Sequence, residues 1–386
     1  MTFAQRTAHL APEGAYQVLA RANQLEAAGK DIIHFEIGQP DYPTFENVSR
    51  AGIRAIRSGK TRYTPPSGMP ALREALAEDA GRRRGIEVHP DEVVVSPGGK
   101  PNLFFPTLAL VEPGDEVIYP NPGFPTYEAM IKVAGGVPVP VPLLEANQFS
   151  FDLEVFDKLI NERTKMIILN SPSNPTGGVI PAPDLVHIAS KARKFDSWVM
   201  TDELYTRIVY DGLEAPSIAT LPGMRERTII VDGFSKTYSM TGWRLGYGIM
   251  PRPLAERVDL LLTHSVGSTA HFTQFAGLEA VTGPQGKVDE MVAEYQRRRD
   301  VIVDGLNSLP GFTCRKPQGA FYAFPNITGT GMGSSDLANF ILEKAGVALL
   351  PGKAFGEFGE GYLRLSYATS IENILEGMER IRAVLQ

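Results

Sequence analysis

The sequence predicts an α/β protein: a large domain built on a mostly parallel, helix-covered sheet, joined to a smaller α+β domain. Three observations predict it. Short apolar runs, Val93–Val95, Val117–Tyr119, Met166–Leu169, Trp198–Met200 and Thr228–Val231, show no polar alternation, as expected of strands covered on both faces. Helical stretches, Asp184 to Arg193 among them, separate most of these runs. Beyond Gly283 the pattern changes to one long amphipathic helix and then to mixed strands and helices. A chain of 386 residues is long for one core. The expected division is a segment 1–41 that joins the small domain, a large domain 42–283 and a small domain 284–386.

Composition narrows the function. Hydrophobic residues make up 43% and charged residues 21%, the balance of an ordinary globular chain, and the net charge of -6 disfavours nucleic acid or an anionic membrane as partner. The basic triplets Arg82–Arg84 and Arg297–Arg299 read as solvated helix faces. The one cysteine, Cys314, has no intrachain partner and lies in an apparent strand, Phe312–Arg315, as a buried structural thiol. No apolar leader and no run of about 18 apolar residues is visible, so a cytoplasmic protein is expected.

In chain order, a helix from Ala15 to Ala28 is closed by Gly29. A strand from Ile32 runs into Gly38-Gln39-Pro40-Asp41, where the glycine is either punctuation or a place where a ligand meets bare backbone. Tyr63 sits on the proline-stiffened loop Tyr63–Gly68, packing locally or serving an interface. A helix follows from Pro70 to Arg84. Ser96-Pro97-Gly98-Gly99-Lys100 links the first buried strand to a helix from Pro101 to Val111. Such a turn is either simple or an anion site made of free N–H groups.

In a parallel sheet, ligands collect at the carboxyl ends of the strands. There stand Asn174, in the loop Asn170–Gly178, then Asp202 with Tyr205, and then the segment Gly233–Gly246. Asp202 and Tyr205 share a face if a helical turn starts there. A carboxylate ending a buried strand is costly unless paired. Lys236 precedes Arg244 by eight residues in a segment of small and aromatic residues; the pair reads either as a surface lysine and a loop arginine or as a confined site whose cationic neighbour disfavours the ammonium form. In the last third, apolar residues from Val288 to Leu309 recur at helical spacing, with Arg297–Arg299 largely on the wet side. Gly319–Phe324, Val347–Leu350 and Tyr362–Tyr367 read as strands, and Ser335–Ala345 as a helix. Arg364 faces away from Leu363 and Leu365, either as an outward charge or as a fork for a carboxylate.

A molecule that used all these strand-end residues would carry a phosphate, a basic ring nitrogen, a phenolic oxygen and an aldehyde. Pyridoxal 5'-phosphate has these features. The segment Gly233–Gly246, with Asn174-Pro175-Thr176-Gly177 and Asp202-Glu203-Leu204-Tyr205 in the same order, resembles the motifs of class I pyridoxal-phosphate-dependent aminotransferases of the aspartate aminotransferase type. The likeness runs from Ile37 to Ala368.

That resemblance implies roles. Lys236 would bond the cofactor aldehyde and shuttle a proton, Asp202 would hold the ring nitrogen protonated, and Tyr205 and Asn174 would hydrogen-bond the 3'-oxygen. Arg244, with the backbone at Gly99 and Lys100, would hold the phosphate. Gly233 stands where some relatives have a serine, and Ser235 is the nearby hydroxyl that could compensate. Phe124 would stack on the ring and border the substrate. Arg364, with Gly38 and Asn174, would grip the substrate α-carboxylate. Tyr63 would reach the phosphate of the neighbouring subunit of a homodimer. Lys100 resembles a reader of a distal carboxylate, which favours aspartate or glutamate, whereas Glu13 in the N-terminal loop opposes an acidic side chain unless it pairs with Lys100. The implied reaction is ping-pong transfer of an amino group to a 2-oxo acid; the same fold also hosts lyases and cyclases, and more remotely non-catalytic regulators.

Overall fold

Seven strands form the central sheet of the computed structural model, which describes residues 4–8, 10 and 14–386. Glu13 lies outside the described residues. A two-residue β1 (Ile33–His34) precedes this sheet in the chain. The sheet itself comprises β2 (Val93–Ser96), β3 (Glu116–Asn121), β4 (Val137–Pro142), β5 (Thr164–Asn170), β6 (Trp198–Asp202), β7 (Thr228–Gly233) and β8 (Gly246–Ile249). Their order is β2-β8-β7-β6-β5-β3-β4, and only β8 runs against the others.

Helices cover both faces, which is why most of the strands carry apolar runs. Met166, Ile168, Met200 and Ile229 pack with Met130, Ile131, Leu254 and Val258. The alternate residues Ile167, Leu169 and Val199 pack with Leu185 and Ile188. Each strand thus buries successive side chains in opposite layers. The mostly parallel, helix-covered sheet agrees with the sequence reading.

Two of its strands were not legible. β4 reads Val-Pro-Val-Pro-Val-Pro and pairs only with β3, the edge position that prolines tolerate because they offer no N–H to a second neighbour. β8 is short and contains two glycines, so it shows no apolar run. A Cβ on Gly246 would lie 2.5 Å from the Gly99 nitrogen, which accounts for the glycine there.

A second core gathers the chain's two ends. β1 pairs with β10 (Val347–Ala348) in parallel, while β11 (Leu350–Pro351), β12 (Leu363–Ser366) and β9 (Tyr322–Ala323) form an antiparallel sheet. The helices Gly286–Asn307, Ser334–Ala345 and Ile371–Leu385 supply Tyr295, Ile302, Ile341 and Ile374 to this core.

Several sequence expectations need correction. Val347–Leu350 is not one strand: it divides between two sheets at Leu349. Gly319–Phe324 shortens to β9, Thr313 alone bridges Asn326 in place of a strand over 312–315, and Leu309 falls beyond its helix. Asp202 and Tyr205 are joined by a hydrogen-bonded turn rather than a helix. Arg364 is no outward charge, being 4% exposed.

The arginine triplets are also not solvated faces. Arg298 and Arg299 are buried: Arg298 meets Asp41 at 2.9 Å and Glu294 at 3.0 Å, and Arg299 meets Asp211 at 2.6 Å and Asp300 at 2.8 Å. Arg83 and Arg84 likewise reach buried carboxylates, while Arg82 and Arg297 stay exposed. Helical spacing shows which residues share a face, but not which distant carboxylates come to cover it.

Candidate active site

The carboxyl ends of β5, β6 and β7 lie side by side, with Asn170 registered to Asp202 and Asp202 to Val231. Asn170 ties this edge together. Its amide donates to the Asp202 carbonyl at 3.1 Å, and its side-chain oxygen accepts the Asn174 N–H at 2.8 Å. Asn174 is thereby placed beside β6, and among the described residues its own amide oxygen is buried without a partner.

Asp202 is buried, which pushes its carboxyl up to about 6 even though Tyr127 donates to it at 2.8 Å and the Leu204 N–H at 3.3 Å. β7 ends at Gly233, and the single helical turn Phe234–Thr237 carries Lys236. The Lys236 Nζ donates to the Gly38 carbonyl at 2.5 Å and lies 5.6 Å from the centre of the Phe321 ring. Burial lowers this amine to about 7, helped by the positive charges of Arg364 and Arg244 and opposed by Asp202. A lysine so placed is a competent base and nucleophile near neutral pH.

Arg364 projects from β12 into the same region. It donates to the Glu36 carbonyl and stacks on Tyr322 at 4.6 Å and Phe355 at 5.2 Å. Its Nε is buried without a partner, and among the described residues no carboxylate pairs with it. Burial lowers its pKa, only partly opposed by the Tyr322 and Tyr205 phenols and the Glu36 carboxylate. Tyr322 also meets the Tyr205 hydroxyl at 2.7 Å, both groups buried, and burial holds the Tyr205 phenol well above its usual value. A Cβ on Gly38 would lie 2.2 Å from the Tyr322 hydroxyl. Gly38 is therefore a close-approach glycine, not punctuation.

On the β2 side, Gly98 has φ +87°, and a Cβ there would lie 2.3 Å from Arg244 Nη2. Arg244 thus lies against the glycine turn that opens the helix Lys100–Leu110, with Gly99 as its N-cap. Arg244 is exposed, has φ 53° and donates to the Thr241 carbonyl at 3.0 Å. Lys100 Nζ is 5.2 Å from the centre of the Phe124 ring, whose neighbour Tyr127 stands edge-on at 5.8 Å. Ser235 is half-buried next to Lys236. A cleft of about 850 Å³ opens beside Arg244, lined also by Gln39, Tyr42, Ser239 and Trp243.

One predicted residue stands apart: the Tyr63 side chain is 97% exposed. The sequence reading missed Asn170, Tyr127 and Tyr322. Asn170 ends a buried strand and the strand-end rule could have found it, but nothing local marks the two tyrosines, which matter through partners 75 and 117 residues away.

A lowered lysine that feels the charges of a buried acid and a buried arginine suits chemistry on an amine bearing a carboxylate. The family described as aminotransferase class I and II matches residues 30–381. The chain is 42% identical to the probable aspartate/prephenate aminotransferase of Aquifex aeolicus over 99% of its length and 98% of that protein's. It is 39% identical to the aspartate aminotransferase of Geobacillus stearothermophilus, covering 100% and 99% of the two chains. The crystal structure of Thermus thermophilus aspartate aminotransferase with maleate superposes with a TM-score of 0.95 at 37% identity, covering 100% of both chains. This chain belongs to the class I and II aminotransferase family. It is an enzyme, a transaminase.

Proposed function

We propose that this transaminase uses pyridoxal 5'-phosphate to pass an amino group from an L-amino acid, with aspartate or glutamate favoured, to a 2-oxo acid by a ping-pong cycle. We further propose a cytoplasmic homodimer in which Tyr63 crosses to the neighbouring site, with residues 1–41 and 284–386 forming a smaller domain against 42–283. The observation that carries the reading is the pair Lys236 and Arg364: an amine near neutrality beside a buried guanidinium that has no ion-pair partner among the described residues.

The residues present suit the cofactor. The Gly98–Gly99 turn, the N-terminus of the helix Lys100–Leu110 and Arg244 offer donors and positive charge to a phosphate. Ser235 is a further hydroxyl donor close by. Asp202, raised to about 6 by burial, suits a basic ring nitrogen whose positive charge would return it to the ionised form. Asn174 has an unsatisfied amide end near Asp202, and with Tyr205 it suits a phenolic oxygen, since the amide can present either its oxygen or its N–H groups. Phe124 offers a ring face for stacking.

When bound, the cofactor would supply a conjugated aldehyde and an electron-accepting ring. The chain's own residues would do the rest. Arg364 would bind the substrate α-carboxylate by its fork, with Gly38 and Asn174 alongside, and so orient the α-carbon toward Lys236. Lys236, near neutral, would accept the proton from that carbon and return it on the other side of the transfer. Tyr322 would hold both Arg364 and Tyr205 in place. Lys100 is proposed to read a distal carboxylate at the Phe124 side, in keeping with the names of the relatives. Among the described residues no helix is long and apolar enough to cross a membrane.

The test is a half-reaction. Aspartate or glutamate added alone should shift the visible absorbance of the cofactor-loaded protein, and 2-oxoglutarate should reverse the shift. Ammonia release without any 2-oxo acid requirement would replace the transaminase reading with a lyase.

A further inference from the structure

Behind the candidate site lies a buried ionic cluster to which no catalytic role has been given. Glu203 directly follows Asp202 and, in an extended segment, points to the opposite side. Asp232 sits one residue before Gly233 and four before Lys236. Both carboxylates meet the end of the helix Pro70–Arg84. Arg84, whose side chain is 5% exposed, reaches Glu203 at 2.7 Å and Asp232 at 3.3 Å. Arg83 reaches Asp232 at 3.0 Å and Asp79 at 2.8 Å, and Tyr247 donates to Asp232 at 2.9 Å.

Further hydrogen bonds tie the cluster together. Glu203 accepts from Ser217 at 2.6 Å and Thr201 at 3.3 Å, while Arg84 also donates to the Ala80 carbonyl at 3.4 Å. The other oxygen of Asp232 accepts the Gly233 N–H at 2.7 Å, the backbone step from which the Lys236 turn begins. The Glu203 N–H donates to the Val231 carbonyl at 2.8 Å, linking the two strand ends a second time.

Buried ion clusters rarely outperform apolar packing in stability, because desolvation consumes the Coulombic gain. They do fix geometry, since a planar guanidinium fork accepts its partners in few orientations. Here one fork spans the two strand ends from which Asp202 and Lys236 depart. The cluster also bears on charge: Glu203 and Asp232 both disfavour ionised Asp202, and Arg84 is the cation paired with both of them.

We propose that Arg84 is a positioning residue for transamination, stapling Glu203 to Asp232 and thereby setting the placement of Asp202 relative to Lys236. The proposal rests on the cofactor reading above. It is tested on the pyridoxal-phosphate-loaded protein by three readouts: the pH midpoint of its visible absorbance, the kcat and KM for aspartate, and thermal stability.

With Arg84→Gln, two buried carboxylates lose a cation, so protonation near Lys236 is favoured and the midpoint should rise by about 0.5 to 1 pH unit. The kcat should fall about tenfold or more through misplacement while KM changes little. The charge-balanced pair Arg84→Gln with Glu203→Gln should restore the midpoint but not kcat. Arg84→Lys keeps the charge without the fork and should lower kcat at an unchanged midpoint. Arg84→Gln that loses only thermal stability, with wild-type midpoint and kcat, overturns the proposal. Should Arg84→Gln fail to fold, Arg84→Lys decides, and wild-type kcat there overturns it equally. A wild-type protein that takes up no pyridoxal phosphate would instead sink the cofactor reading itself.

Discussion

The guanidinium of Arg364 lies 4.6 Å from the centre of the Tyr322 ring, and the Tyr322 hydroxyl in turn meets that of Tyr205 at 2.7 Å. One aromatic side chain thus couples the group proposed for a substrate carboxylate with one proposed for the cofactor. It also presses so closely on Gly38 that no larger residue fits there.

Arg364→Leu is expected to separate binding from stability. Removing a buried guanidinium whose desolvation outweighs its neighbours' attraction relieves a cost, so the unliganded protein should melt no lower than wild type. Loss of the carboxylate contact should lower kcat/KM for amino acids at least about 100-fold, the equivalent of about 2.7 kcal/mol. Steady-state kinetics and calorimetry check the two halves; a large fall in melting temperature with intact kcat/KM would assign Arg364 to structure alone.

Lys236→Met tests the depressed amine. Its folded-state pKa of about 7 lies below the ordinary lysine value, so between about 7 and 10 the unfolded chain binds the extra proton and stability rises with pH. The methionine variant lacks this term. Without cofactor it should therefore be more stable than wild type near pH 6, by a margin that narrows as pH climbs toward 10. Turnover should fall by about 1,000-fold or more. Parallel thermal melts across pH and a turnover assay measure both.

Asp202→Asn should show the opposite sign. Burial raises the folded carboxyl to about 6, so wild-type stability is highest below the unfolded value near 4 and is lost as pH rises through 6. The unliganded asparagine variant should match wild type near pH 4 and exceed it above pH 6. The same variant should bind pyridoxal phosphate more weakly and turn over at least about 100-fold more slowly, as read by cofactor titration and kinetics.

Gly38→Ala places a methyl group 2.2 Å from the Tyr322 hydroxyl. The tyrosine must move, disturbing both the Tyr205 hydrogen bond and the Arg364 stack. An increase in the KM for amino acids of about tenfold is expected, together with about 1 to 3 kcal/mol of lost stability from overpacking. Adding Tyr322→Phe removes the clashing oxygen and should return part of the stability but not the KM.

Lys100→Ser addresses specificity. If Lys100 reads a distal carboxylate, aspartate kcat/KM should fall about 10- to 100-fold while an uncharged amino acid is little affected. An equal fall for both would assign Lys100 to the phosphate or to the fold.

The sequence alone determined the features that depend on neighbours along the chain. Buried strands declared themselves as unbroken apolar runs because both faces of the sheet are covered, and the residues at their carboxyl ends, Asn174, Asp202 and Lys236, followed from the topology such runs imply. Tertiary structure decided what depends on distant partners. Tyr127 and Tyr322 are ordinary core aromatics until Asp202 and Tyr205 arrive beside them, and Gly38 is an ordinary turn residue until Tyr322 covers it. Arg84 and Arg299 look like solvated charges until Glu203 and Asp211 meet them. The physical reason is common to all of these: burial and ion pairing raise or lower a group's energy according to what surrounds it in space, and local spacing does not carry that information.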